Sequence, residues 1–215
     1  GELPSWEGEQ IPVPFEVARE VGRLRRERDF SRYPAHQKAA GFASHFLHRM
    51  DRVKDRIPDE RLITLESCDD GVVANVCGEH KANEALARVL SILLSARRGT
   101  TVGIEVGAYR FLLRLPSSIG PADVKQVLLS LDPAHLDGIL ALALKRTSLF
   151  RWKLVQVAKK FGAIDADADY ARFSIHRLLD LFEGTVIQEE GYRELFTRYM
   201  DVPGAAGILE AIRKG

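Results

Sequence analysis

The chain has 215 residues, of which 46% are apolar and 28% charged. That is enough to bury a full core and excludes a disordered tail. With 31 Lys and Arg against 30 Asp and Glu, the formal charge is +1, so any surface for nucleic acid has to be a local stripe and not a net excess. No apolar run approaches the roughly 20 residues of a membrane span, and no charged-then-apolar leader opens the sequence, so a cytoplasmic protein without membrane contact is expected.

Residues 1–13 lack periodicity and hold Pro4, Trp6, Gly8 and Pro12, which reads as a connector. Trp6 sits there in extended chain, where one ring is expected to anchor in a groove of a neighbouring domain. Pro14 opens a helix over about 15–28 with Val17, Val21 and Leu24 as its apolar stripe and Arg19, Arg23 and Arg26 on another face. A second helix is expected over 35–56. Its buried side would be Ala39, Phe42, Ala43, Phe46, Leu47, Met50 and Val53, and His45, Arg49, Arg52 and Arg56 would line one edge. Ile57-Pro58-Asp59 ends it.

Residues 61–116 read as two β-hairpins separated by one apolar helix. The first pairs 62–66 with 72–76 around Cys68-Asp69-Asp70-Gly71, where Asp-Gly is a strong hairpin signal. In the second, Val102, Ile104 and Val106 point one way, Gly107-Ala108 turns, and Tyr109, Phe111, Leu113 and Leu115 return on the same face. Arg110 and Arg114 then fall on the wetter face. Between them, 81–97 repeats Leu86, Val89, Leu90, Leu93 and Leu94 at helical spacing. One helix across four antiparallel strands gives an α+β two-layer core. Further helices follow over 121–131, from Asp132-Pro133 to about 144, and over 145–161 as a continuation or a third helix ended by Gly162. Three short ones then occupy 169–182, 189–200 and 202–213. The domain reading is 1–60 for the connector and N-terminal helical pair, 61–145 for the ββαββ core with its following helices, and 146–215 for a C-terminal helical subdomain.

There is no G-x-x-x-x-G-K-[ST] loop and no strand-borne acidic motif for Mg²⁺, so the chain is not expected to hydrolyse ATP by itself. G-x-S-x-G and H-E-x-x-H are also absent. Cys68 and Cys77 are poorly placed to bridge and read as free thiols. Asp69-Asp70 reads as turn chemistry. His45 and His48 lie at i and i+3, but a structural zinc site wants four ligands and nothing nearby supplies the rest, so no metal is expected.

The basic stripes on the first two helices could each track a phosphate backbone, or simply be solvated beside acidic neighbours. Trp152 stands out. On a helical wheel it lies nearly opposite Phe150, Leu154, Val157 and Phe161, with Lys145, Gln156 and Lys159 around it. A ring flanked by ammonium groups suits a single-strand stacking platform, and it suits equally a tryptophan packed against a neighbouring helix.

Several motifs in order resemble one family. Pro4-Ser5-Trp6-Glu7-Gly8-Glu9, then Pro14-Phe15-Glu16-Val17-Ala18-Arg19-Glu20, resembles the junction after the winged-helix region of Lhr (large helicase-related) proteins. Asp69-Asp70-Gly71-Val72-Val73 and Asn83-Glu84-Ala85-Leu86-Ala87-Arg88 resemble the DEAD/H-associated domain of that family. Leu149-Phe150-Arg151-Trp152-Lys153 with Val157-Ala158-Lys159-Lys160-Phe161-Gly162 is similar to a third segment of it.

The resemblance implies a C-terminal accessory fragment of a superfamily 2 DNA helicase that moves 3′ to 5′ along single-stranded DNA. ATP and Mg²⁺ would be used by RecA-like domains that, with a winged helix, precede this segment. The expected partners are those domains and single-stranded DNA, or RNA. The expected contacts are Arg151, Trp152 and Lys153, with Arg146 and Lys160 on the stripe of Lys153, and secondarily Arg49, Arg52 and Arg56. Trp6 is the expected interdomain anchor. The resemblance extends to winged-helix DNA glycosylases, but no position matches a glycosylase catalytic motif and no catalytic residue is assigned. A base-excision module and a purely structural scaffold are the alternatives.

Overall fold

The structure is a computed structural model that describes residues 12–53, 56–145, 147–167 and 174–214, the side chains of residues 175 and 176 excepted. Trp6 and Arg146 therefore lie outside the described residues.

The sheet is built from strands β1 (Thr64–Cys68), β2 (Gly71–Asn75), β3 (Gly103–Val106) and β4 (Arg110–Arg114), antiparallel throughout in the order β1-β2-β4-β3. The two hairpins thus join through their second strands. In the β2–β4 register Val72 faces Leu113 and Ala74 faces Phe111, and all four are buried under helix α3 (Glu79–Arg98). These cross-strand pairs fix the register, because a slip of one residue would turn Arg110 and Arg114 into the core. The α+β class and the two-hairpin sheet expected from the sequence are what the structure has. The first hairpin differs in detail: Cys68 pairs with Gly71, leaving Asp69-Asp70 alone in the loop. Gly71 has φ of +140°, and a Cβ there would collide with the Leu113 carbonyl of β4. Close approach of a third strand, as well as the turn, requires glycine here.

Helix α3 starts two residues before its expected first residue. Glu79 sits at φ of +63° and turns its carboxylate back to accept the amide of Ala82, while Gly99 closes the other end in the left-handed region. Asn83 is fully buried; its Nδ2 donates to Val76 O at 3.3 Å and to Gly107 O at 2.9 Å. Those two carbonyls lie at the end of β2 and in the β3–β4 turn, so one amide ties both hairpins to the helix.

Helix α4 (Pro121–Ser130) and helix α5 (Leu136–Leu144) follow, the latter entered through a 3₁₀ turn at Pro133–His135 with Asp132 accepting Ala134 N at 3.1 Å. Helix α6 (Ser148–Lys160) is separate from α5, because Thr147 Oγ1 accepts the Phe150 amide at 3.1 Å and starts a new helix. It packs on helix α7 (Ile175–Phe182) and helix α8 (Val186–Tyr199), where Phe150 stacks on Tyr192 with centroids 4.2 Å apart. Helix α9 (Val202–Lys214) returns across α3 and α4, so one apolar core runs continuously from the sheet into the C-terminal helices. No single described helix is long and apolar enough to cross a membrane.

At the N-terminal side, helix α1 (Phe15–Glu27) buries Ala18 and Gly22. A Cβ on Gly22 would stand 2.5 Å from Glu60 N, so the chain crosses α1 there in backbone contact. Helix α2 (Gln37–Val53) departs most from expectation. Of its predicted buried side only Leu47 is buried, and Phe42 is 75% exposed, Phe46 54% and Val53 82%. Its apolar stripe forms a helix of the right period, but Phe42, Phe46 and Val53 stay largely uncovered by the described residues. A bidentate pair from Arg28 to Asp51, at 2.6 and 2.7 Å, moors it to the end of α1.

If Asn83 is the clasp between the layers, Asn83→Ala leaves two buried carbonyls without donors and costs about 2–3 kcal/mol of unfolding free energy, read from the denaturant midpoint. Arg114→Ala, which removes only an exposed ion pair to Glu105, changes it by less than about 0.5 kcal/mol.

Candidate nucleic-acid interface

Three rows of cations were expected, and they differ in their partners. On α1, Arg23 is paired with Glu20, which also accepts the Tyr33 hydroxyl, and Arg26 is paired with Glu60 at 2.7 Å and Glu27 at 3.0 Å. Hydrogen bonds from Tyr33 and Arg23 hold the Glu20 carboxyl below its ordinary range. Arg19 lies over the Phe15 ring at 6.0 Å with no carboxylate partner among the described residues, whereas Arg23 and Arg26 spend their charge within the chain.

On α6 the same is true. Its N-terminal half is wedged between the core and α8, so Lys153 is only 6% exposed. Its Nζ lies 2.7 Å from Glu194 Oε2 on α8, and Lys160 Nζ lies 2.8 Å from the other oxygen. The two ammonium groups hold the Glu194 carboxyl below its ordinary value, with the Lys153 hydrogen bond the larger cause. Lys145 is paired with Glu183, and Lys159 Nζ donates to Ala166 O at 2.7 Å. Trp152 is 36% exposed and lies 5.2 Å from the Lys153 ammonium. The indole is neither buried nor set among free cations. Arg151 is half-buried, and its Nε has no hydrogen-bond partner among the described residues. The expected grouping of Arg151, Trp152, Lys153 and Lys160 is therefore brought together in space, but with Lys153 inward and a carboxylate between the two lysines.

The row on α2 has no such compensation. Arg49, Arg52 and Arg56 are exposed, and none has a carboxylate partner among the described residues. Helix α2 ends at Val53, so Arg56, expected on the same helical edge, lies beyond it; at about 100° per residue Arg49 and Arg52 lie beside the exposed Phe42, Phe46 and Val53, so a cationic edge borders an aromatic one. Sequence reasoning placed Arg49, Arg52 and Arg56 on one edge but consigned the phenylalanines to the core. It missed Glu194, whose i, i+4 surroundings on α8 give no sign of a partner 41 residues away. Among the described residues no group of three or more His, Cys, Asp and Glu could hold a metal ion. Cys77 is buried and Cys68 exposed, both as free thiols.

The DEAD/H-associated family model matches residues 57–215. The chain is 22% identical to the ATP-dependent helicase Lhr-Core of Methanocaldococcus jannaschii and 25% identical to that of Methanothermobacter thermautotrophicus, over 99% of its own length in each case. It spans 27% and 28% of the length of those curated relatives. The structure of Mycobacterium smegmatis helicase Lhr bound to ssDNA and AMP-PNP superposes with a TM-score of 0.64 at 20% identity, covering all of this chain and 30% of that one.

Replacing Glu194 by Gln leaves the buried Lys153 ammonium without its counter-charge and costs about 3 kcal/mol. Because the folded Glu194 pKa is lowered, the pair stabilises fully above the ordinary value of 4.5 and is lost as pH falls below it. Glu194→Gln therefore flattens the acid limb of the stability–pH curve, measured by urea unfolding from pH 6 downward.

Proposed function

The chain belongs to the DEAD/H-associated family, and on that premise we propose that it is an accessory part of a longer Lhr-type ATP-dependent helicase that contacts single-stranded DNA. The observation that carries this reading is Arg49 and Arg52 on α2 with Arg56 beyond its end, all exposed and without carboxylate partners among the described residues, and the exposed aromatic rings of α2. Cations on a helix edge neutralise phosphates, and rings beside them stack on bases without regard to sequence. The chain's own role is passive: it holds a strand and does not move it. The sequence has no phosphate-cradling loop, so ATP and Mg²⁺ belong to other domains of the longer protein. Such a protein works in the cytoplasm, where it meets DNA.

Within this reading the α2 arginines rank ahead of the α6 residues, because Lys153 and Lys160 would have to exchange Glu194 for a phosphate, whereas Arg49, Arg52 and Arg56 lose only water. Trp152 can still touch a strand through its open third.

The 215-residue chain is expected to bind a dT oligonucleotide with an affinity that falls steeply as salt rises. The triple replacement Arg49→Ala, Arg52→Ala and Arg56→Ala lowers the log–log salt slope by about 2, at roughly 0.7 per lost phosphate contact. Trp152→Ala costs less than the triple replacement. Binding that is insensitive to both salt and the α2 arginines refutes the assignment.

A further inference from the structure

Between α2 and the β3–β4 turn lies a groove of about 350 Å³. Phe46 and Met50 form one wall, Ala108, Tyr109 and Arg110 the other, and Arg25 reaches in from α1. Its volume is at the small end of the ~300–1,000 Å³ typical of small-molecule pockets, the size suited to one flat ring system. The charged residues that line it are arginines, and the carboxylate nearest its lining, Glu66, accepts the Asn75 amide at 2.8 Å. Arg25 is half-buried, with Nη1 at 3.4 Å from Pro58 O and 3.5 Å from Cys77 Sγ, and has no carboxylate partner among the described residues. Burial pushes the Cys77 thiol up from its ordinary value, so it stays neutral and offers no counter-charge. Arg110 is exposed, likewise without a carboxylate partner among the described residues, and Arg49 stands one turn along α2 from Phe46. The nearby carboxylates are engaged: Asp59 caps the amides of Arg61 and Leu62, Glu60 holds Arg26, and Asp51 holds Arg28.

The ring that lines the groove is also fixed. The Arg25 guanidinium lies 5.3 Å from the Tyr109 centroid, Tyr109 O accepts Val76 N at 3.0 Å, and the preceding Gly107 O is held by Asn83. Three larger cavities lack this pattern. One is lined by Glu79, Asp137 and Asp201, in another Arg88 is paired with Glu84 at 2.6 Å, and the third has no aromatic ring in its lining.

We propose that this groove receives one unstacked base of the bound single strand, between Phe46 and Tyr109, while Arg49 and Arg110 take the flanking phosphates. The proposal rests on the strand-contacting reading above and names where a base would sit. Aromatic walls with a cationic rim fit a nucleotide better than a protein segment, since the centres of protein interfaces are depleted of charge.

The test uses the 215-residue chain and two oligomers of equal length, dT12 and a twelve-residue abasic deoxyribose phosphate strand. Phe46→Ala alters an exposed residue and is expected to keep the fold. Ala108→Trp fills the groove without removing a contact. Each is expected to weaken dT12 about 5-fold or more, the range for losing one stacked base, and to leave the abasic strand unchanged. The triple arginine variant weakens both strands. If the arginines matter and neither groove variant discriminates between the strands, the groove is not a base site and the strand-contacting reading stands. If Phe46→Ala weakens both strands equally, its role is structural and the base site is overturned. If none of the variants changes binding, both readings fall.

Discussion

The amide of Asn83 bonds to two carbonyls that no strand partner can reach, one past the end of β2 and one in the β3–β4 turn. Both hairpins are thereby referred to a single helix that is buried along most of its length. The bond demands room: a Cβ on Gly78 would lie 2.5 Å from Asn83 Oδ1 and 2.6 Å from Ile208 Cδ1 on α9. A polar group in the core is stabilising through the bonds it makes, and here the two made by Nδ2, with Oδ1 left without a partner among the described residues, set the relative position of sheet and turn. The turn that Asn83 holds is also the wall carrying Tyr109 and Arg110, so the same bond that unites the layers fixes one side of the cationic groove.

Charge on this surface is divided by what each helix faces. Helix α6 lies against α8, and a lysine turned into that contact needs a counter-ion, which Glu194 supplies to both Lys153 and Lys160. Helix α1 faces the crossing chain at Glu60 and the loop at Tyr33, and its Arg23 and Arg26 are likewise spoken for. Helix α2 faces neither, apart from its mooring at Asp51. Of the three rows, the one on and just past α2 is the one in which none of the arginines has a carboxylate partner among the described residues. A formal charge of +1 for the chain conceals that asymmetry.

Uncovered phenylalanines beside uncompensated arginines are costly to a protein that never covers them, since exposed aromatic clusters favour association. The chain spans under a third of the length of the curated relatives it matches and of the superposed helicase. An aromatic edge bordered by arginine is suited to a single strand, which brings both rings and phosphates to the same surface.

The sequence by itself determined the local elements: both hairpins, the central helix and most helix starts follow from alternation, heptad-like spacing and capping residues, all of which act within a few positions. It ended the strands of the first hairpin short of the turn, at 66 and 72, where pairing continues to Cys68 and Gly71 because Gly71 also packs on Leu113 in a third strand. It assigned Phe42, Phe46 and Val53 to a core because periodicity reports that a helix has an apolar side, not that anything covers it. Which cations are free was decided only by tertiary structure. Glu194 lies 41 residues from Lys153, and Glu60 lies 34 from Arg26, so their neutralisation arises from how helices pack. The groove joining Arg25, Phe46 and Tyr109 exists for the same reason: its walls come from three elements distant in the chain, and packing alone sets them side by side.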